Sequence, residues 1–143
     1  DYAAIALGDS ITAHSLYNSV KVSPDRVEDF GGIAPHVQGT EGQKSIVFLS
    51  SLFPDRIALS APLRAIMVPV IANTETTRIV PATKAEAMLA LLPTTLFQLP
   101  LAQSRKIESL TEIIQRLPCY RLELGTNSNE AAQAVRTFLE TMP

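Results

Sequence analysis

Several residues near the start of this 143-residue sequence carry side chains that could act together chemically. Asp1 supplies a carboxylate, and residues 15–21, Ser-Leu-Tyr-Asn-Ser-Val-Lys, supply hydroxyls, an amide and an ammonium group. A set of groups of this kind suits the binding of a metal-phosphate group. The two parts are separated by residues 2–14, so their chemistry depends on the elements that bring them together.

A predicted β-hairpin joins these two parts. Residues 1–7 form a short apolar run that opens on the carboxylate of Asp1. Residues 8–10, Gly-Asp-Ser, supply turn chemistry, since glycine tolerates positive φ and Asp and Ser bond the local backbone. Residues 11–17 are prone to form a strand and alternate roughly between apolar and polar side chains. We therefore expect residues 18–21 to lie near the end of the sheet where Asp1 begins.

The segments around these residues follow one another in an order found in a known family. Asp-Tyr at 1–2 and the Ser-Leu-Tyr-Asn-Ser-Val-Lys stretch resemble the region after the P-loop in HPr serine kinase-like proteins, which have the phosphoenolpyruvate carboxykinase-like P-loop fold. The likeness continues through Phe-Pro-Asp-Arg at 53–56, Pro-Leu-Arg-Ala-Ile at 62–66, and residues 77–82, 86–91, 93–100 and 118–125. That family carries G-x-x-x-x-G-K-[ST] upstream of the matching Asp. We therefore expect this chain to be the distal part of a longer kinase-like protein.

The resemblance implies an activity and roles for individual residues. It implies nucleotide-dependent phosphorylation of a hydroxyl group, usually a serine on a protein or peptide, with ATP and Mg²⁺ as cofactors of the intact protein. Asp1 would hold the metal or accept the serine proton, and Lys21 would neutralise charge on the transferred phosphoryl group. The chain alone is expected to be inactive, since no run of residues in it can cradle the β-phosphate of the nucleotide. The remaining candidates for binding phosphate or substrate are Tyr17, Asn18, Ser19, Arg64 and Arg78.

Each candidate also has a structural interpretation. Asp1 could be a solvated chain end, and Lys21 could simply be exposed at the end of a strand. Tyr17 is typical of a half-buried strand aromatic. Arg64 and Arg78 interrupt apolar strands, so each could grip a phosphate or carboxylate in a bidentate manner, form an internal ion pair, or lie exposed at a sheet edge. For Arg78 the structural interpretation is favoured.

A second glycine-containing stretch invites comparison with a P-loop. Residues 39–45 read Gly-Thr-Glu-Gly-Gln-Lys-Ser, but a phosphate cradle needs four residues between its first Gly and a Gly-Lys pair. Here Gln43 separates the second Gly from Lys44, and the following residues are prone to form a strand. We therefore predict that no helix begins at Lys44.

The composition favours one folded domain over residues 1–143. Hydrophobic residues make up 46% of the chain and charged residues 18%, which excludes a disordered chain. A net charge of −2 provides no electrostatic footprint for nucleic acid. The longest apolar stretch, residues 63–72, is interrupted by Arg64 and Pro69 and is too short to cross a membrane. Neither nucleic acid nor a membrane is therefore expected as a partner.

The lone cysteine and the two histidines bear on compartment and metal binding. Cys119 has no partner for an internal disulfide, which favours a reducing cytoplasm, and its apolar surroundings predict a buried thiol. His14 and His36 have no cysteine or carboxylate at the spacing of zinc ligands, so no zinc site follows. A sheet that lacks its first half would expose an apolar edge, so self-association into a homo-oligomer is possible.

The remaining pattern predicts an α+β fold, with a mixed or antiparallel sheet and C-terminal helices. The resemblance implies that this fold is an incomplete phosphoenolpyruvate carboxykinase-like kinase domain. Residues 22–43 are predicted to be a long loop. Residues 63–71 are predicted to be a strand buried on both faces that pairs with residues 77–80. A capping box at Thr83 and Glu86 begins a helix that Pro93 ends. The other predicted strands are 44–49, a weaker 57–59, and 119–124; the other predicted helices are 104–117 and 129–142, the last capped by Ser128.

Two other functions remain open from the sequence. The chain could be a non-catalytic interaction or peptide-recognition module derived from the kinase fold. It could also be an unrelated α+β ligand-binding domain, in which case the match at residues 15–21 is chance. Nucleotide binding by the full-length protein separates the kinase from the module.

Overall fold

The computed structural model describes residues 3–28, 32–96 and 103–142, which form a mixed α+β protein. The chain divides into two compact units, Asp1–Pro62 (unit 1) and Leu63–Pro143 (unit 2). The predicted α+β class is confirmed. The division does not test the predicted single domain over residues 1–143, because two compact units can belong to one domain.

The described part of unit 1 forms two antiparallel three-stranded sheets. Their strand orders are β1-β2-β6 and β3-β5-β4. The elements are β1 (Ala3–Leu7), β2 (Ile11–Ser15), β3 (Ser19–Val22), β4 (Val37–Glu41), β5 (Lys44–Phe48), α1 (Leu49–Leu52) and β6 (Ser60–Pro62).

The predicted N-terminal hairpin is confirmed. β1 and β2 pair antiparallel across the three-residue loop 8–10, with Leu7 opposite Ile11 and Ala3 opposite Ser15. The turn residues and the two strand-prone runs therefore agree with the structure. This register returns the chain to the N-terminal end of β1.

A second hairpin, β4–β5, corrects the prediction of a long loop. Residues 37–41 form a strand that the sequence analysis missed, because Val37 is its only large apolar residue and Gly39 weakens the pattern. The turn at residues 42–43 has Gly42 at φ +61°, as a two-residue hairpin requires at its first position. Lys44 begins a strand, so the prediction that no helix begins there is confirmed. The weak strand predicted at 57–59 is wrong, and the strand of this region is β6.

Unit 2 is built on one mixed sheet with the strand order β7-β9-β8. β9 runs parallel to β7 and antiparallel to β8. The elements of its described part are β7 (Ile66–Ile71), β8 (Arg78–Pro81), α2 (Lys84–Leu96), α3 (Gln103–Arg116), β9 (Cys119–Leu124) and α4 (Ser128–Thr141).

The predicted hairpin between residues 63–71 and 77–80 is wrong. β9 lies between β7 and β8 and pairs with both strands, so the two strands that are adjacent in sequence are not adjacent in the sheet. β7 is also not buried on both faces, since Ile71 is 85% exposed. β7 lies at one end of the order β7-β9-β8 of the described strands, and an edge position tolerates Pro69, which has no N–H donor.

Of three predicted helix boundaries, one is confirmed and two are corrected. The Thr83 backbone N–H donates to Glu86 Oε2 at 2.7 Å, and the Glu86 N–H donates to Thr83 Oγ1 at 3.2 Å, which is the predicted capping box. α2 continues through Pro93 to Leu96. Pro93 has no N–H, so the carbonyl of Leu89, four residues earlier, loses its helical donor. α4 is capped by Asn127, whose side chain accepts from the N–H groups of residues 129 and 130, and not by Ser128.

The core of unit 2 lies between its sheet and the helices α2 and α3. Its buried residues are Ala87, Leu110, Ile114 and Cys119, and the predicted burial of the thiol is confirmed. Since side chains alternate between the two faces of a strand, Tyr120 lies on the opposite face from Cys119. There it meets Phe138 of α4 in an edge-on contact with ring centroids 4.7 Å apart. The sheet of unit 2 is therefore covered by helices on both faces.

The ammonium group of Lys84 fastens α2 to the end of α3. Lys84 Nζ donates to the backbone carbonyl of Ile114 at 2.6 Å and to that of Leu117. These carbonyls belong to the last turn of a helix, where a positive charge is favourable. None of the helices in the described ranges is both long enough and apolar enough to cross a membrane.

Candidate functional site

The connection between β2 and β3, residues 16–18, holds two of the residues predicted to do chemistry. Tyr17 and Asn18 lie in this connection, and Ser19 begins β3. The Asn18 carbonyl accepts from the N–H of Leu49 at 2.6 Å, and Asn18 Nδ2 donates to Ser50 Oγ at 3.2 Å. The start of α1 therefore fixes Asn18 through both its backbone and its side chain.

Lys21 forms an ion pair across the second sheet of unit 1. Its Nζ lies 2.6 Å from Glu41 Oε2, although β5 separates β3 from β4. The two side chains are 45% and 63% exposed. An ion pair this exposed contributes about 0–1 kcal/mol, so Lys21 can exchange its partner for another anion at small cost.

The other unit 1 candidates differ in exposure. The Tyr17 side chain is exposed rather than half-buried as predicted, because it stands in the connection and not in a strand. Ser19 is half-buried and lies opposite Phe48 of β5. Asp1, the predicted metal ligand and proton acceptor, lies outside the described residues.

The two predicted arginines belong to unit 2 and do not meet each other. Arg64 lies two residues before β7 and donates from its guanidinium to the Met142 carbonyl at 3.1 Å. Arg78 begins β8, is exposed, and lies opposite Glu123 of β9 in the sheet register. Neither position is enclosed as a phosphate grip would be. The predicted site residues are therefore divided between the two units.

A charged cluster in unit 2 was not among the predicted sites. Arg121 donates to Glu86 Oε1 at 3.0 Å and to Glu123 Oε1 at 2.9 Å, which ties α2 to β9. Hydrogen bonds from the Thr83 backbone and hydroxyl hold the pKa of the Glu86 carboxyl below its ordinary value, and Arg121 lowers the pKa further. These contacts give Arg121 a structural role.

A groove between β8 and α4 is the second feature that the sequence analysis missed. It has a volume of about 400 Å³, with Ile79 of β8 on one side and Ala134 and Phe138 of α4 on the other. Glu130 lines it near the start of α4. The spacing of residues 130, 134 and 138 is a helical signal that could have indicated a common face.

The described residues do not assemble a metal centre. Residues 3–28, 32–96 and 103–142 contain no cluster of three His, Cys, Asp or Glu side chains that could hold a metal ion. The described carboxylates therefore do not by themselves form a site for Mg²⁺, and we derive no step through a metal.

Comparisons of the chain with protein-family models, with curated proteins and with solved structures found no match.

Proposed function

We propose that this chain is the distal part of a nucleotide-dependent phosphotransferase that acts on a serine hydroxyl of a protein or peptide. The observation that carries the proposal is the register of the first hairpin. Ala3 lies opposite Ser15, so the connection that contains Tyr17 and Asn18 follows at the end of β2 that pairs with the start of β1. This register supports the proposal, because Asp1 comes two residues before Ala3 in the sequence.

In this proposal Lys21 acts on the transferred phosphoryl group. Its weak pairing with Glu41 holds the ammonium group in place on the exposed side of β3 and gives way to a more strongly charged phosphate. The amide of Asn18, fixed by Ser50, orients the acceptor or the phosphate by hydrogen bonds. Asp1 takes the serine proton. ATP and Mg²⁺ are proposed for the intact protein and would be held by groups beyond the described residues.

The test is phosphoserine formation by the intact natural protein. The protein is incubated with ATP, Mg²⁺ and serine-containing peptides, and phosphoserine is measured by mass spectrometry. We expect Lys21→Met to lower the rate by about 10²–10³, as removal of one stabilising group at a transferring centre does. Lys44→Met is the matched control, since Lys44 is an exposed lysine of the same sheet, and its rate should change less than about twofold.

Two results contradict the proposal. Lys21→Met and Lys44→Met could have equal rates, which would remove Lys21 from the reaction. The intact protein could also neither bind ATP nor form phosphoserine on any peptide, which would leave the kinase account without support.

The second candidate function is a non-catalytic interaction module derived from the same fold. The structural partners of the two central candidates favour it, since Lys21 is paired with Glu41 and the Asn18 amide is bonded to Ser50. A module predicts binding of a protein or peptide by an intact protein that neither binds ATP nor transfers phosphate. Measuring both nucleotide binding and phosphoserine therefore separates the two functions.

A further inference from the structure

We propose that the groove between β8 and α4 binds an extended peptide that carries a Lys or Arg side chain. The groove lies wholly within unit 2, away from the candidates of unit 1 in sequence. The proposal gives the second candidate function a binding surface. It does not require phosphoryl transfer, so either can fail without the other.

The floor of the groove is apolar and firmly held. Ile79, Ala134 and Phe138 line it. The Phe138 ring is fixed by its edge-on contact with Tyr120, at 4.7 Å between centroids. Ile79 lies opposite Leu122 of the central strand β9, so the sheet supports it. An apolar side chain of a peptide can therefore be buried here without a rearrangement of the floor.

The wall of the groove is the edge of a sheet. β8 pairs with β9 on one side and ends the order β7-β9-β8 among the described strands. The Ala82 N–H donates to the Cys119 carbonyl at 2.9 Å, which shows that residue 82 directs its backbone groups towards β9. Since these directions alternate along an antiparallel strand, residues 79 and 81 direct theirs outwards.

These outward groups can pair with one short strand. Ile79 offers an N–H and a carbonyl, and Pro81 offers a carbonyl but has no N–H. A peptide that adds to this edge therefore gains few backbone hydrogen bonds. Its affinity and specificity must come from side chains that enter the adjacent groove.

The charge of the groove selects the class of peptide. Of the described residues that line it, Glu130 alone is charged, and the rest are apolar, hydroxyl or amide side chains. The Glu130 backbone is fixed in the first turn of α4, where its N–H donates to Asn127 Oδ1 at 3.3 Å. A half-buried carboxylate beside an apolar floor is complementary to a peptide that carries a basic side chain next to an apolar one.

The experiment selects peptides from a library of random nonapeptides displayed on phage, with the whole chain immobilised. We expect enriched peptides to be strand-prone and to carry Lys or Arg. A synthetic copy of the most enriched peptide, labelled with fluorescein, then gives dissociation constants by fluorescence anisotropy. We expect Glu130→Gln to weaken binding about two- to fivefold, as loss of a partly exposed ion pair does. Glu140→Gln removes an exposed glutamate of the same helix outside the groove and should leave the dissociation constant unchanged.

Two further variants sharpen the test. Glu130→Lys should reverse the selection, so that acidic peptides are enriched. Ala134→Arg should abolish binding, since its side chain fills the groove and pairs with Glu130 four residues before. Should Ala134→Arg fail to fold, NMR shifts of the ¹⁵N-labelled wild-type chain with the peptide locate the contact, and these should be confined to β8 and α4.

Several outcomes overturn the proposal. Selection of no peptide, or of peptides without a basic residue, would remove the proposed occupant. Equal affinity of folded Ala134→Arg and wild type, or NMR shifts outside β8 and α4, would place the contact elsewhere. Occupation of the groove by a second copy of the chain, seen as a dimer that excludes the peptide, would also overturn it.

Discussion

The two units of this chain differ in how their sheets are buried. In unit 2, helices cover both faces of one sheet, and Ile114 of the core is 1% exposed. The described part of unit 1 has two sheets, one α-helix of four residues and three short 3-10 helices, and its buried large apolar side chains are Ile11 and Val47. A sheet needs a second layer to bury its apolar face. Unit 2 contains its own second layer, whereas the described part of unit 1 contains very little of one.

Four of the predicted site residues lie in unit 1, the unit with the small core. They are Tyr17, Asn18, Ser19 and Lys21. Large apolar side chains there, including Leu16 and Leu59, are exposed. Apolar exposure of this kind is typical of a surface that meets more protein. Unit 2 also exposes large apolar side chains, including Ile71 and Leu89, so this exposure does not separate the two units.

The largest expected effect concerns the two cores. Ile114→Ala leaves a cavity in a core with no solvent access and should lower the free energy of unfolding by about 2–5 kcal/mol. Leu59→Ala is the control in unit 1, since Leu59 is 79% exposed. This variant should change the free energy of unfolding by less than about 0.5 kcal/mol. Urea unfolding followed by circular dichroism at the helical minimum measures both. Equal destabilisation by the two variants would contradict the burial of Ile114 and the exposure of Leu59.

The next effect concerns one glycine in each unit. A Cβ at Gly125 would lie 2.7 Å from the Thr76 carbonyl carbon and would also collide with the Glu75 carbonyl oxygen. Backbone atoms cannot yield cheaply, so Gly125→Ala should destabilise unit 2 by about 1–3 kcal/mol. Gly39→Ala in β4 meets nothing within 4 Å and should be close to neutral. The urea concentrations at which the two variants and the wild type are half unfolded measure this contrast. A Gly125→Ala variant as stable as the wild type would show that the turn beside Gly125 is free to move.

A smaller effect concerns helix capping and its pH dependence. Thr83→Ala should cost about 1 kcal/mol, because it removes a hydroxyl that caps α2. Ser23, at the start of a short 3-10 turn in unit 1, makes no capping bond with its side chain, so Ser23→Ala should cost almost nothing. Thermal unfolding of both variants at neutral pH measures the contrast.

The capping box of Thr83 and Glu86 also predicts a loss of stability in acid. The pKa of Glu86 is lowered in the folded state. The ionised Glu86 carboxylate therefore stabilises the folded protein above its ordinary pKa of 4.5, and this stabilisation is lost as the pH falls through the lowered pKa. Glu86→Gln should therefore differ most from wild type at neutral pH, and the difference should shrink below pH 4.5. Urea unfolding of both proteins over this pH range provides the check. A difference that grows in acid would have the wrong sign for this account.

The smallest effect concerns the ion pair of unit 1. Glu41→Gln removes the partner of Lys21 and should lower the free energy of unfolding by less than about 1 kcal/mol, since both side chains are exposed. The effect should fade in 1 M salt, where exposed charges are screened. Unfolding at low and high salt tests this. A larger effect that does not depend on salt would show that the pair stabilises the fold. It would contradict the proposal that Lys21 leaves Glu41 to bind a phosphate.

The features that could be predicted from the sequence depend on residues that are close together in the chain. The first hairpin follows from the turn residues 8–10, and the capping box follows from the spacing of Thr83 and Glu86. β9 follows from its alternation and the glycine after it. These signals are local, so a single sequence suffices to find them.

The sequence did not predict pairings between distant segments. The insertion of β9 between β7 and β8 depends on the packing of α2 and α3, which no local pattern contains. β4 was missed because strand pairing outweighs the low propensity of Val-Gln-Gly-Thr-Glu. The groove was missed for the same reason, since it exists only when β8 and α4 come together. The site at residues 17–21 stays a prediction, and the residues that Asn18 and Lys21 contact, Ser50 and Glu41, come from segments that no local pattern links to it.

Hydrogen exchange of the intact chain, followed by mass spectrometry, tests the difference between the units most directly. The account predicts that the backbone amides of β9 and α3 exchange slowest, because they open only when unit 2 unfolds as a whole. It predicts that the amides of β1 and β2 exchange about a hundredfold faster or more, since little core holds those strands closed. Equal protection of β1, β2 and β9 would contradict the account, because unit 1 would then be as firmly folded as unit 2.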